Sequence, residues 1–141
     1  MTQLNQNLSF DGNAEEAFNF YRSVFGGEFA SLMRWSDNPQ CGEMSEADKN
    51  SIMHIALPVG GTVIMGNDSL AALGQKTTAG NNITIAIAPD SRDEADRLFD
   101  GLSAGGQVGM AMQDMFWGGY FGAFTDKFGI PWMINFDNQQ K

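Results

Sequence analysis

The chain has 141 residues, enough for one domain that buries most of its apolar surface without a disulfide or metal staple. Its 8 Lys and Arg against 17 Asp and Glu give a net charge of −9, which excludes the clustered cations that bind nucleic acid or an anionic membrane surface. A hydrophobic content of 43% excludes a disordered chain, and the single cysteine, Cys41, excludes an intrachain disulfide and fits a reducing cytoplasm.

The N-terminal MTQLNQN lacks the basic start and apolar core of a secretion signal, and no apolar run nears the ~20 residues of a membrane span. Leu4–Phe10 reads as a first strand. Asn13 then stands as the N-cap of a helix, with Glu16 in the capping-box position. Ala14, Ala17, Phe18, Tyr21 and Phe25 recur at helical spacing, and Gly26-Gly27 stops the helix. Three strands follow, Glu28–Trp35, Ile52–Leu57 and Thr62–Gly66, the last two joined by a hairpin turn at Pro58-Val59-Gly60-Gly61. The long loop Ser36–Asn50 reads as a solvated cap or a short helical turn. Its Cys41 has no Lys, Arg or His neighbour in sequence to activate the thiol, so it is not expected to be catalytic.

After a polar linker at about 69–80 the pattern returns. Ile83–Ala88 reads as a strand, and Ser91 with Glu94 as the capping box of a helix carrying Ala95, Leu98, Phe99 and Leu102. Gly105-Gly106 ends it. The strands Gln107–Met112, Tyr120–Thr125 and Trp132–Phe136 follow, the last pair turning at Asp126-Lys127-Phe128-Gly129. Glu16 and Glu94 are offset by 78, as are Ala17 and Ala95, and Tyr21 and Phe99. The reading is an α+β chain of two tandem βαβββ modules, at about 1–68 and 81–137.

Three segments, NAEEAFNFYRSVFGGE, IMHIALPVGGTVIMGND and QDMFWGGYFGAFTDKFGIPWMINF, resemble the vicinal oxygen chelate superfamily, which includes glyoxalase I, bleomycin-resistance proteins and extradiol dioxygenases. Within it the chain is similar to the PhnB-like branch, and the resemblance spans nearly the whole sequence. It implies a single domain over 1–141, with the mixed sheets of the two modules curled into a half-barrel cup, and a homodimer. The branch is often labelled demethylubiquinone methyltransferase-like. The sequence has no strand–GxGxG–helix signature for the usual methyl donor.

Metal-using members of the superfamily draw His, Glu or Gln ligands from the first and last strands of each module. By resemblance those places fall on Gln6, on Met65 or Asn67, on Asn82 or Thr84, and on Met133. None is His, Asp or Glu, and a thioether suits hard divalent metals poorly, so neither metal nor other cofactor is expected.

His54, the one histidine, shares a strand face with Ile52 and Ala56 and is a candidate proton carrier or ligand anchor. Tyr120, Gly122 and Phe124 share another face, where the small Gly122 leaves space between two rings; Phe116 and Trp117 lead into it. Met65 and Met133 add polarizable wall, and Gln6, Asn67 and Gln113 add polar tips. The expected function is metal-free binding of a small aromatic or amphipathic molecule, with the acidic charge drawing in cationic ligands. The alternative is a lyase, isomerase or tailoring enzyme of the same superfamily that moves a proton with His54 or Tyr120.

Overall fold

In a computed structural model, residues 2–39 and 42–138 are described, and Cys41 lies outside them. The described strands form two four-stranded sheets, with strand orders β1-β4-β3-β2 and β5-β8-β7-β6. The first holds β1 (Gln6–Phe10), β2 (Ser31–Arg34), β3 (Ile52–Val59) and β4 (Thr62–Asp68). The second holds β5 (Ile85–Ile87), β6 (Gln107–Asp114), β7 (Gly119–Thr125) and β8 (Pro131–Asp137). In each sheet the first and last strands pair in parallel and the other pairs are antiparallel. The fold is α+β with the same topology performed twice. The chain parts into two compact units, with the boundary between Thr78 and Ala79.

In the first unit α1 (Ala14–Phe25) covers one face of its sheet. Ala14, Ala17, Phe18 and Tyr21 are buried on it, and the helix packs against β3, whose Ile55 and Leu57 are fully buried. Gly66 of β4 sits beneath Phe18 so closely that a β-carbon there would collide with the ring. In the second unit α3 (Arg92–Ser103) does the same with Ala95, Leu98, Phe99 and Leu102. Phe99 meets Phe124 edge-to-face at 5.1 Å. The loop after β2 holds a single 3₁₀ turn, Trp35–Asp37, and the short helix α2 (Glu46–Asn50), whose Ser45 hydroxyl accepts from the Asp48 N–H.

Local details depart from the sequence reading. Asn13 makes no capping hydrogen bond with its side chain. The start of α1 is held instead by Asp68, whose Oδ1 accepts from the Gly12 and Ala14 N–H groups at 3.1 and 2.9 Å. Ser91 does cap α3, but the Glu94 carboxylate reaches past it to the Asp90 N–H at 3.3 Å, so the box is displaced by one residue. The first strand of each unit is shorter than read. Leu4 and Ile83 lie outside β1 and β5 and are 85% and 77% exposed, because nothing covers them as core strands are covered. The turn after β7 runs through Ile130, since Thr125 pairs with Pro131.

Candidate functional site

A helix covers one face of each sheet and leaves the other free. Residues directly opposite on paired strands point to the same side, so the register sorts every strand position. In the first unit Leu8, Ile55 and Gly66 lie under α1, and so does Gln6, paired with Ile64. The helix-free face therefore carries Asn7 and Met65 as one pair and Ser9 and Asn67 as the next. Ala56, opposite Met65, and His54, opposite Met33 of β2, continue it. Gln6 thus lies on the wrong side for the expected pocket, and its buried Oε1 has no hydrogen-bond partner. The neighbouring Asn7 and Ser9, which the sequence reading passed over, occupy the face instead. Both donate to Asn67 Oδ1 at 3.1 Å, and the Asn67 Nδ2 donates to the Asp68 carbonyl at 3.3 Å. The amide of Asn67 is thereby fixed, while His54 and Met65 stand half-exposed beside it.

The second unit reverses the expected pocket. Tyr120, Gly122 and Phe124 do share a face, but it is the face under α3. The room at Gly122 is filled, since a β-carbon there would collide with the Met112 sulfur and the Phe99 ring. Tyr120 donates its hydroxyl proton to Asp96 of α3 at 2.5 Å, and the Arg92 guanidinium lies 3.8 Å over its ring. The hydrogen bond to Asp96 raises the phenol above its ordinary value of 10.0, with burial adding to the rise and Arg92 opposing it. Arg92 in turn pairs with Asp114 at 2.6 Å and holds that carboxyl below its ordinary range. Tyr120 is thus tied to α3 and lies off the helix-free face.

The helix-free face of the second unit is carried by the alternate positions. Phe121 pairs with Asn135, Ala123 with Met133, and Gln113 lies opposite Phe121 on β6. Trp117 folds back from the β6–β7 turn, meeting Phe121 edge-to-face at 6.0 Å, while Phe116 points outward and is 98% exposed. A groove of about 330 Å³ runs along this side, its lining including Thr84, Gln107, Ala123, Thr125 and Met133. Phe124 and Trp132 also border the groove, although their pairing places them under α3. Of the residues expected to line a pocket, the register gathers His54, Met65 and Asn67 in the first unit and Gln113 and Met133 in the second, where Trp117 joins them through its contact with Phe121. It does not bring in Gln6, Phe116 or Tyr120.

A second recess of about 670 Å³ opens in the first unit beside the start of α1, with Asp11, Asp48, Ser51, Gln75 and Lys76 on its walls. It contains none of the residues singled out from sequence. Among the described residues no three His, Cys, Asp or Glu side chains gather closely enough to hold a metal ion. The groups at the positions the resemblance points to are amide, hydroxyl and thioether, with no carboxylate or imidazole among them, so they form a poor chelate for a divalent metal.

The model of the family described as the Glyoxalase/Bleomycin resistance protein/Dioxygenase superfamily matches residues 3–134. Protein YjdN of Escherichia coli K12 is 33% identical over 141 aligned residues that cover 94% of each chain. The crystal structure of protein PA1353 from Pseudomonas aeruginosa is similar with a TM-score of 0.86 and 36% identity, over 97% of this chain and 98% of that one. The PhnB protein of Bacillus cereus follows with a TM-score of 0.76 and 26% identity, over 96% and 99% of the two chains.

Proposed function

The chain belongs to the glyoxalase/bleomycin resistance protein/dioxygenase superfamily, and from that membership we propose that it binds a small organic molecule, without a metal, on the helix-free faces of its sheets. One observation carries the reading. Those faces combine thioether and aromatic wall with neutral amide and hydroxyl tips. The ionisable groups on them include His54 and the strand-end Asp137. Walls of that kind suit a planar or amphipathic ligand. The paired charges lie elsewhere: Arg34 with Glu15 of α1 at 2.7 Å, and Arg92 with Asp114 beside α3. The net charge of −9 is thus not concentrated where the ligand would sit, and the acid that the strands place there is Asp137, at the end of β8.

The enzyme reading now rests on His54, which is on the helix-free face, whereas Tyr120 is not. Replacing His54 with Asn roughly keeps the size of the side chain and removes the imidazole. For a binding protein the fold and the affinity for an aromatic probe such as 2-quinolinone change less than about threefold. Native mass spectrometry of the same preparations is expected to show a dimer with no stoichiometric divalent metal. A reaction detected with the wild type and lost with His54→Asn, or one metal per site, would replace this reading with an enzymatic one.

A further inference from the structure

We propose that Asn135 is the ligand's anchor, and that the ligand is an uncharged planar molecule with an N–H or O–H donor at its edge. This rests on the small-molecule reading above and deepens it. Asn135 stands on the helix-free side of β8, opposite Phe121. Its Oδ1 is buried and has no hydrogen-bond partner. A buried acceptor without a donor weakens a fold, and an apolar side chain of similar shape would serve packing better. Its presence asks for a donor from outside the chain. The two other buried, unpartnered side-chain atoms among the described residues are Gln6 Oε1, which lies under α1, and Trp35 Nε1, which lies outside the sheets. Asn135 alone of the three is on a helix-free face.

The surroundings fit a stacked, planar donor. Gly119 lies beneath both the Trp117 ring and Asn135 Oδ1, and a β-carbon at Gly119 would collide with each of them. The indole therefore lies against the amide and covers it. Trp117 belongs to the tight turn at the tip of the β6–β7 hairpin, closed by the Gly118 N–H donating to the Met115 carbonyl at 3.0 Å. It is 48% exposed, so one side of the ring is open to solvent while the other shields the acceptor. A ligand that displaces the indole from Gly119 stacks on it and presents its donor to Oδ1. Asp137, two residues along β8, already has an interaction of its own. A charged ligand would lose its hydration at the covered amide, and a neutral one would lose far less.

The test uses two neutral probes, 2-quinolinone, which has a ring N–H, and N-methyl-2-quinolinone, which does not. Binding to the whole protein is followed by the indole N–H resonance of Trp117 in NMR titrations. The wild type is expected to bind 2-quinolinone at least about tenfold more tightly, because a site built around a hydrogen bond rejects a ligand that lacks it. In Asn135→Leu the preference disappears while the melting temperature stays at or above that of the wild type. Equal wild-type affinities, or a preference that survives in Asn135→Leu, would overturn the anchor and leave the binding face intact. If the probes perturb Met65 but neither Trp117 nor Met133, the anchor fails and the binding face stands; if they perturb none of the three, both fail.

Discussion

Replacing Asp68 with Ala is expected to destabilise the protein by about 3 kcal/mol or more, since each buried donor stripped of its acceptor costs ~1–3 kcal/mol. Asp68 is 3% exposed. Its Oδ1 takes the Gly12 and Ala14 N–H groups at the start of α1, and its Oδ2 takes the Ile52 N–H at the start of β3, at 2.8 Å. One carboxylate at the end of β4 thus ties together a helix start and a strand start that are far apart in sequence. Asp68→Asn keeps the Oδ1 acceptor but turns an amino group toward Ile52, so its loss is expected to be smaller, roughly 1–2 kcal/mol. Urea unfolding of both variants checks the order. The loss is large against the ~5–15 kcal/mol of a typical domain. An Asp68→Ala protein within about 1 kcal/mol of wild type would show that water replaces the carboxylate.

The second unit has a corresponding knot at Asp126, also 3% exposed. Its Oδ1 accepts from the Phe128 and Ile130 N–H groups at 2.8 and 3.1 Å, and its Oδ2 from the indole of Trp132 at 2.8 Å. Trp132 is 1% exposed, so its N–H depends on that oxygen. Asp126→Ala is expected to cost about 2–4 kcal/mol. In Trp132→Phe the indole donor is gone, so the added cost of Asp126→Ala should fall by roughly 1–2 kcal/mol, a coupling that a double-mutant cycle reads directly. Strict additivity would mean the indole bond contributes nothing to stability.

Neither carboxylate's role was legible in the sequence. Asp68 serves a helix that begins 54 residues earlier, and local capping signals such as Asn13 and Glu16 cannot register a group that arrives through the fold. The order and type of the elements were legible, because helical spacing at Ala17, Phe18 and Tyr21 and strand alternation around Ile55 and Leu57 are local properties. So was the family, from segments that run nearly the length of the chain.

The site was legible only in part. In β7, GYFGAFT is apolar on both faces, so alternation sorts Tyr120, Gly122 and Phe124 from Phe121 and Ala123 without telling which set the helix takes. Gly122 looked like a gap left for a ligand, and it is a gap left for Phe99. At β1 a shift of one residue, from Gln6 to Asn7, moves the side chain to the opposite face, and only the pairing with β4 resolves it. Asn7, Ser9 and Asn135 are not legible from sequence, because alternation alone does not tell which neutral polar strand residue faces away from the helix. What marks them is position: shared contact with Asn67 for the first two, and an unpaired acceptor for the third.

The most direct measurement is a methionine-methyl NMR titration of the whole protein with 2-quinolinone. Met65 and Met133 report on the helix-free faces, and Met112, packed near Gly122, reports on the helix-covered one. Saturable shifts at Met133 or Met65 are expected, with Met112 unmoved. Shifts confined to Met112, or none at any methyl, would contradict it.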